Sequence, residues 1–159
     1  MIIEIEKIIK LHYAIEAVKD REDLDFKFSY TLVKNKARIE GVIKAVAAME
    51  KPTARLLEFD KKKLEIANKF RDPNKQSKQG TIALLENKLT EFMAEIKPLE
   101  EEYKEDLAAQ AAKAVEVAEF IKTKEDVAFF LVDESLFPSK LSVTLVEYLE
   151  PIMNKSTKN

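Results

Sequence analysis

Residues 29 to 44 read "SYTLVKNKARIEGVIK", and the phase of their apolar positions decides the fold. Leu32, Ile39 and Val46 recur every seven residues, and Val42, Met49, Leu56 and Phe70 form a parallel series at sevens or their multiples. Ile43, Leu57 and Leu64 widen the stripe. That spacing predicts an amphipathic helix from about Tyr30 to Arg71, which at 1.5 Å per residue would be ~60 Å long. "RDPNKQSKQG", 71–80, brings turn chemistry through Pro73, Asn74 and Gly80, and Thr81 offers an N-cap for a second helix. There Leu85, Leu89, Phe92, Ile96, Leu99 and Tyr103 step by fours and threes, as a packing seam requires. Two helices joined by a short turn fold back most simply as an antiparallel hairpin.

The expectation is therefore a mainly α chain, with a long helical hairpin over about 28–118 and its tip at 73–80. Centring the turn near Gln76 sets Lys51 and Arg55 beside Glu100, Glu101 and Glu102, and brings Pro52 and Pro98 to nearly the same level. Proline lacks an amide donor and clashes with the preceding turn, so the arms either bend or are segmented there.

The flanks are shorter. "IIEI", 2–5, fits either a brief strand or a helix start, and Ile5, Ile8, Ile9, His12, Ile15 and Val18 then predict a helix to about Lys19. "FKFSY", 26–30, alternates like an extended entry into the long helix, and "VAFFLV", 127–132, reads as a short buried strand. Ser142 is placed to cap a helix that buries Leu145, Leu149 and Met153. Together the chain ends would form a small α/β base, giving one domain over 1–153 and a disordered polar tail, 154–159.

Composition narrows the chemistry. With 159 residues, 35% charged and a net charge of -2, the chain lacks the global excess of positive charge that captures nucleic acid. It has no cysteine, hence no disulfide and no thiolate metal site. Gly41 and Gly80 are the only glycines, too few for a P-loop or a dinucleotide fingerprint. The sole histidine, His12, falls on an apolar helix face, which favours a packed, hydrogen-bonded role, and no nucleophile elbow accompanies it. "EEEYKED", 100–106, lacks the spacing and glycine of an EF-hand loop and reads as a solvated helix face. The expectation is no catalytic, cofactor or metal residues. No apolar run approaches ~20 residues, and the N-terminal stretch is acidic where a secretory signal is basic, so a soluble, intracellular protein is expected.

Charge distribution leaves one surface to consider. Residues 26–55 hold seven basic side chains against two acidic ones, whereas 86–106 hold eight acidic against three basic. The hairpin matches part of the first set with the second and leaves Lys34, Lys36 and Arg38 without an evident partner. These three, with Glu100, Glu101 and Glu102, are the candidate interaction residues. Internal matching and the helical interleaving of apolar residues argue against nucleic acid and for a protein partner.

Ser29, Tyr30, Lys34, Asn35, Ile39 and Glu40 form a Ser-Tyr-x3-Lys-Asn-x3-Ile-Glu pattern that resembles a family of small uncharacterised proteins of tailed bacteriophages and prophages. "ARLLEF" and "LFPSKLSV…LVEYLEPIM" are similar to that family's continuation and close, whereas the short basic tip departs from its Gly/Asp-rich loop. The resemblance implies a phage or prophage source, a place in the host cytoplasm or the virion, and a non-enzymatic role. An interaction or assembly protein acting through helical surfaces is the leading expectation. The alternatives are an inhibitor of a host defence nuclease or other host enzyme that presents an acidic helix face, and a prefoldin-like holdase.

Overall fold

The computed structural model describes residues 1–75 and 82–154; the expected cap at Thr81, part of the tip, and residues 155–159 of the tail lie outside them. Within that span the protein is mainly helical, with a helical hairpin and a small α/β part built from the chain ends. In chain order the elements are β1 (Ile2–Glu4), α1 (Ile5–Val18), α2 (Phe26–Glu50), α3 (Ala54–Lys69), α4 (Leu89–Glu102), α5 (Lys104–Phe120), β2 (Lys124–Asp126), β3 (Val132–Asp133), α6 (Val143–Leu149) and β4 (Met153–Asn154). They sort into two compact units, one of residues 1–50 with 116–154 and one of residues 51–115, where the sequence reading has one domain over 1–153.

In the first unit α1 packs against α2 and α6. Ile8, Leu11, Ala14, Ile15 and Val18 of α1 meet Phe28, Leu32 and Ile39 of α2 in one buried cluster, closed by Val127, Val132, Leu149 and Ile152. The seven-residue stripe of α2 is thus a core stripe, and α1 is among the elements that cover it. β1 pairs antiparallel with β2, Ile2 opposite Asp126 and Glu4 opposite Lys124; β3 pairs in parallel with β4. Helix α6 begins as expected, with Ser142 Oγ accepting from Leu145 N at 3.3 Å, and it buries Leu149. Met153 and Asn154 belong to β4, so the expected helix side and tail each lose a residue to a strand.

"FKFSY" is helical rather than extended. Asp25 starts α2: its Oδ1 accepts from Lys27 N at 2.7 Å and its carbonyl from Ser29 N at 2.9 Å, the arrangement of an N-cap. Phe26 and Tyr30, two apart from Phe28 in an alternating reading, are one helical turn apart and stack with centroids 6.4 Å apart. "VAFFLV" contributes only Val132 to a strand; the pairing edge of β1 is taken by the charged Lys124–Asp126.

In the second unit α3 and α4 run antiparallel. Lys62 reaches Glu102 and Lys69 reaches Glu95, at 3.4 and 2.7 Å, and Phe70 meets Phe92 at 5.9 Å. A turn centred near Gln76 would instead set Lys62 level with Glu91, about ten residues short of the observed register. The cause is local: after the turn at Asp72–Lys75, Arg71 bridges to Leu84 and a single 3-10 turn, Glu86–Lys88, precedes the first residue of α4. The prolines act differently. Pro52 lies in the break between α2 and α3, where Thr53 Oγ1 caps the new helix by accepting from Leu56 N at 3.2 Å. Pro98 is inside α4, and the second arm is interrupted at Tyr103 instead.

Candidate interaction surfaces

Helix α2 turns one face to the core and another to solvent. Outward go Phe26, Tyr30, Val33, Ala37 and Gly41, close to one line along a 3.6-residue helix, with Lys34 and Arg38 beside them. The three cations that had no evident partner each have one. Lys36 Nζ is 2.6 Å from Glu16 Oε1 of α1, Lys34 Nζ lies 5.3 Å from the Tyr30 ring centroid, and the Arg38 guanidinium lies 4.8 Å from that of Phe130. Lys44 is held by Glu40 at 2.7 Å. Cation–π contacts at exposed sites contribute ~0.5–1 kcal/mol and keep the charge available to solvent, so Lys34 and Arg38 are positioned rather than neutralised.

Two polar groups missed from sequence hold this face in place. Asn35, on the core side of α2, is fully buried; its Nδ2 donates to the Phe130 carbonyl at 2.8 Å and its Oδ1 accepts from Phe130 N at 2.9 Å. One side-chain amide thus does for Phe130 what a neighbouring strand would do, and "VAFFLV" is held without being a ladder strand. Its sequence signal is an Asn in phase with Leu32 and Ile39. Glu16 is the second: Lys19 donates to it at 2.7 Å, and its Oε1, shut off from solvent, has Lys36 as counter-ion. The contact with Lys36 is an ion pair rather than a well-aligned hydrogen bond. Together the two ammonium groups, Lys19 first, draw the Glu16 carboxyl down to about 2.

In the second unit Tyr103 is the anchor. Its ring is buried against Phe59 at 5.5 Å, with Arg55 and Lys62 at 4.8 and 5.0 Å from the centroid, and its hydroxyl accepts from Lys62 Nζ at 2.8 Å. That hydroxyl, Glu58 and Glu102 all hold the Lys62 ammonium in its charged form. The acidic trio is divided. Glu102 faces Lys62, Glu101 faces Lys104 at 3.2 Å, and Glu100 is exposed. Arg55, expected near Glu100, Glu101 and Glu102, shares a shallow cleft with Glu101 and Glu102 and is paired with Asp106, 2.9 Å away.

Apolar side chains remain outside. Leu57 and Leu64, seven apart on α3, are 55% and 53% exposed, and Met93 of α4, four residues from the exposed Leu89, is 56% exposed. Phe59, Leu99 and Tyr103 form the buried cluster of this unit, with Ile66 and Leu107 packed against it. His12 is half-buried on α1, and its ring makes no hydrogen bond to any described residue. Among the described residues no group of three acidic or histidine side chains is placed to hold a metal ion, and no helix is long and apolar enough to cross a membrane.

No family model, curated protein or solved structure matches this chain.

Proposed function

We propose that this chain is a non-enzymatic interaction or assembly protein, encoded by a tailed phage or prophage, that acts through helical packing surfaces. One observation carries the reading: α3 and α4 bury one apolar stripe against each other and leave a second on each helix, with Leu57, Leu64, Leu89 and Met93 in solvent. Two helices have too little mutual surface to cover stripes of that width, and exposed apolar faces of this kind are where partners dock. The phage assignment rests on the resemblance carried by Ser29, Tyr30, Lys34, Asn35, Ile39 and Glu40.

Self-association is the form tested first. Size-exclusion chromatography with light scattering, over a hundredfold range of concentration, should show a mass above one chain at the upper end. Leu57→Glu with Leu64→Glu should return it to one chain without loss of helicity. A parent protein that stays monomeric throughout would count against self-assembly, and a double variant that associates like the parent would remove these leucines from the interface.

A further inference from the structure

A groove of about 650 Å³ opens in the first unit beside β1, within the size range of natural ligand sites. Ile2, Ile3 and Glu4 of β1 line it together with Lys124 of β2, and Tyr148, Pro151 and Met153 supply apolar wall. The ladder of β1 with β2 determines what the other edge of β1 offers. Val127 N donates to the Met1 carbonyl at 3.0 Å and Ile5 N to the Thr123 carbonyl at 2.9 Å, so the residues bonded toward β2 are the odd-numbered ones. In an antiparallel pair the intervening residues direct both backbone groups away from the partner. The Ile2 amide, the Ile2 carbonyl and the Glu4 amide therefore point out from β2, the two donors ~6.7 Å apart, and no described residue bonds to any of them. Ile2 is itself 72% exposed.

From this edge and its apolar wall we infer that the groove binds an extended segment of a partner polypeptide as an added strand on β1. A donor–acceptor pair on one residue, and a further donor one strand repeat away, match the backbone of an extended chain; a compact small molecule has no such repeat. Alternate side chains of the guest would rest on Ile2, Met153 and Tyr148, which selects apolar residues at every second position. The groove wall carries both lysines and glutamates and selects no net charge. This site is independent of the leucines of α3.

The test uses end-blocked, fluorescein-labelled hexapeptides that alternate threonine with valine, isoleucine, leucine or phenylalanine, followed by fluorescence anisotropy on the full chain. At least one should bind with a dissociation constant below about 1 mM, and methylating the amide nitrogens on its ladder-facing side should abolish binding. Glu4→Pro is the discriminating variant. Glu4 already has φ −66°, the value proline fixes, and its amide is not part of the ladder with β2, so the substitution removes an outward donor from a strand left in place. It should weaken binding about tenfold or more, while Glu4→Ala, which keeps the amide, should change it by less than about threefold. Leu57→Glu with Leu64→Glu should bind like the parent whatever its oligomeric state. The inference is overturned if no peptide binds below about 1 mM, if the methylated peptide binds as well as its parent, or if a folded Glu4→Pro protein binds undiminished.

Discussion

Asn35 does more for the first unit than its polarity promises. A buried side chain that satisfies both backbone groups of Phe130 cannot be shortened without stranding them. Asn35→Ala should therefore cost about 2 kcal/mol, read as a lower urea midpoint at unchanged slope by circular dichroism. Glu16 makes a pH-dependent contribution. Its carboxyl, ordinarily near 4.5, is drawn down to about 2 by Lys19 and Lys36, so the unfolded chain binds the proton more readily. The stabilisation is complete above about pH 4.5 and disappears as pH falls toward 2. Glu16→Gln should flatten the acid limb of the stability profile between those values, and thermal midpoints measured from pH 6 to 2 would show it. Asn35 was legible in principle, because it shares the phase of Leu32 and Ile39. The Glu16–Lys36 pair was not, since helix packing alone brings those positions together.

At the scale of elements, the sequence identified most helices and misplaced their limits where two periods coincide. Phe26, Phe28 and Tyr30 satisfy a period of two, yet Phe26 and Tyr30 also satisfy i, i+4, and Asp25 as a cap resolves the ambiguity toward helix. "VAFFLV" has the composition of a strand, but pairing needs a neighbour, and the edge of β1 goes to the charged Lys124–Asp126. Of the two prolines at which the sequence allows a bend or a break, Pro52 follows the end of α2, and Thr53 restarts the chain. Thr53→Ala should destabilise α3 by about 1 kcal/mol in thermal unfolding. Pro98, inside α4, withholds an amide from the Ala94 carbonyl. Pro98→Ala should stabilise α4 by up to about 3 kcal/mol, measured as a raised thermal midpoint.

For the molecule as a whole, fold class followed from helical periodicity and from the scarcity of glycine, but the packing of the stripes did not. A heptad series states that a helix has a buried face without naming what covers it. The stripe of α2 packs with α1 in the first unit, whereas that of α3 meets α4 in the second. Of the charge matching expected between 26–55 and 86–106, the pair Arg55–Asp106 is present; the pairs across α3 and α4 use Lys62 and Lys69. Those pairs are largely solvent-exposed, so 1 M sodium chloride should shift the thermal midpoint little, each pair being worth ~0–1 kcal/mol. A fall of many degrees would show that ion pairing, rather than the Phe59–Tyr103 cluster, holds the second unit.

The division of the chain also orders events in time. The second unit is a continuous run, 51–115, interrupting a first unit whose halves are separated by it. During synthesis α3 and α4 can close on each other as soon as both have left the ribosome. β1 must wait for Lys124–Asp126, and until α6 is made the Ile8–Leu11–Ile15 face of α1 has only α2 against it, so for most of translation the edge of β1 is unmatched. A nascent chain halted before Lys124 should thus protect the amides of α3 and α4 from exchange while leaving those of β1 open.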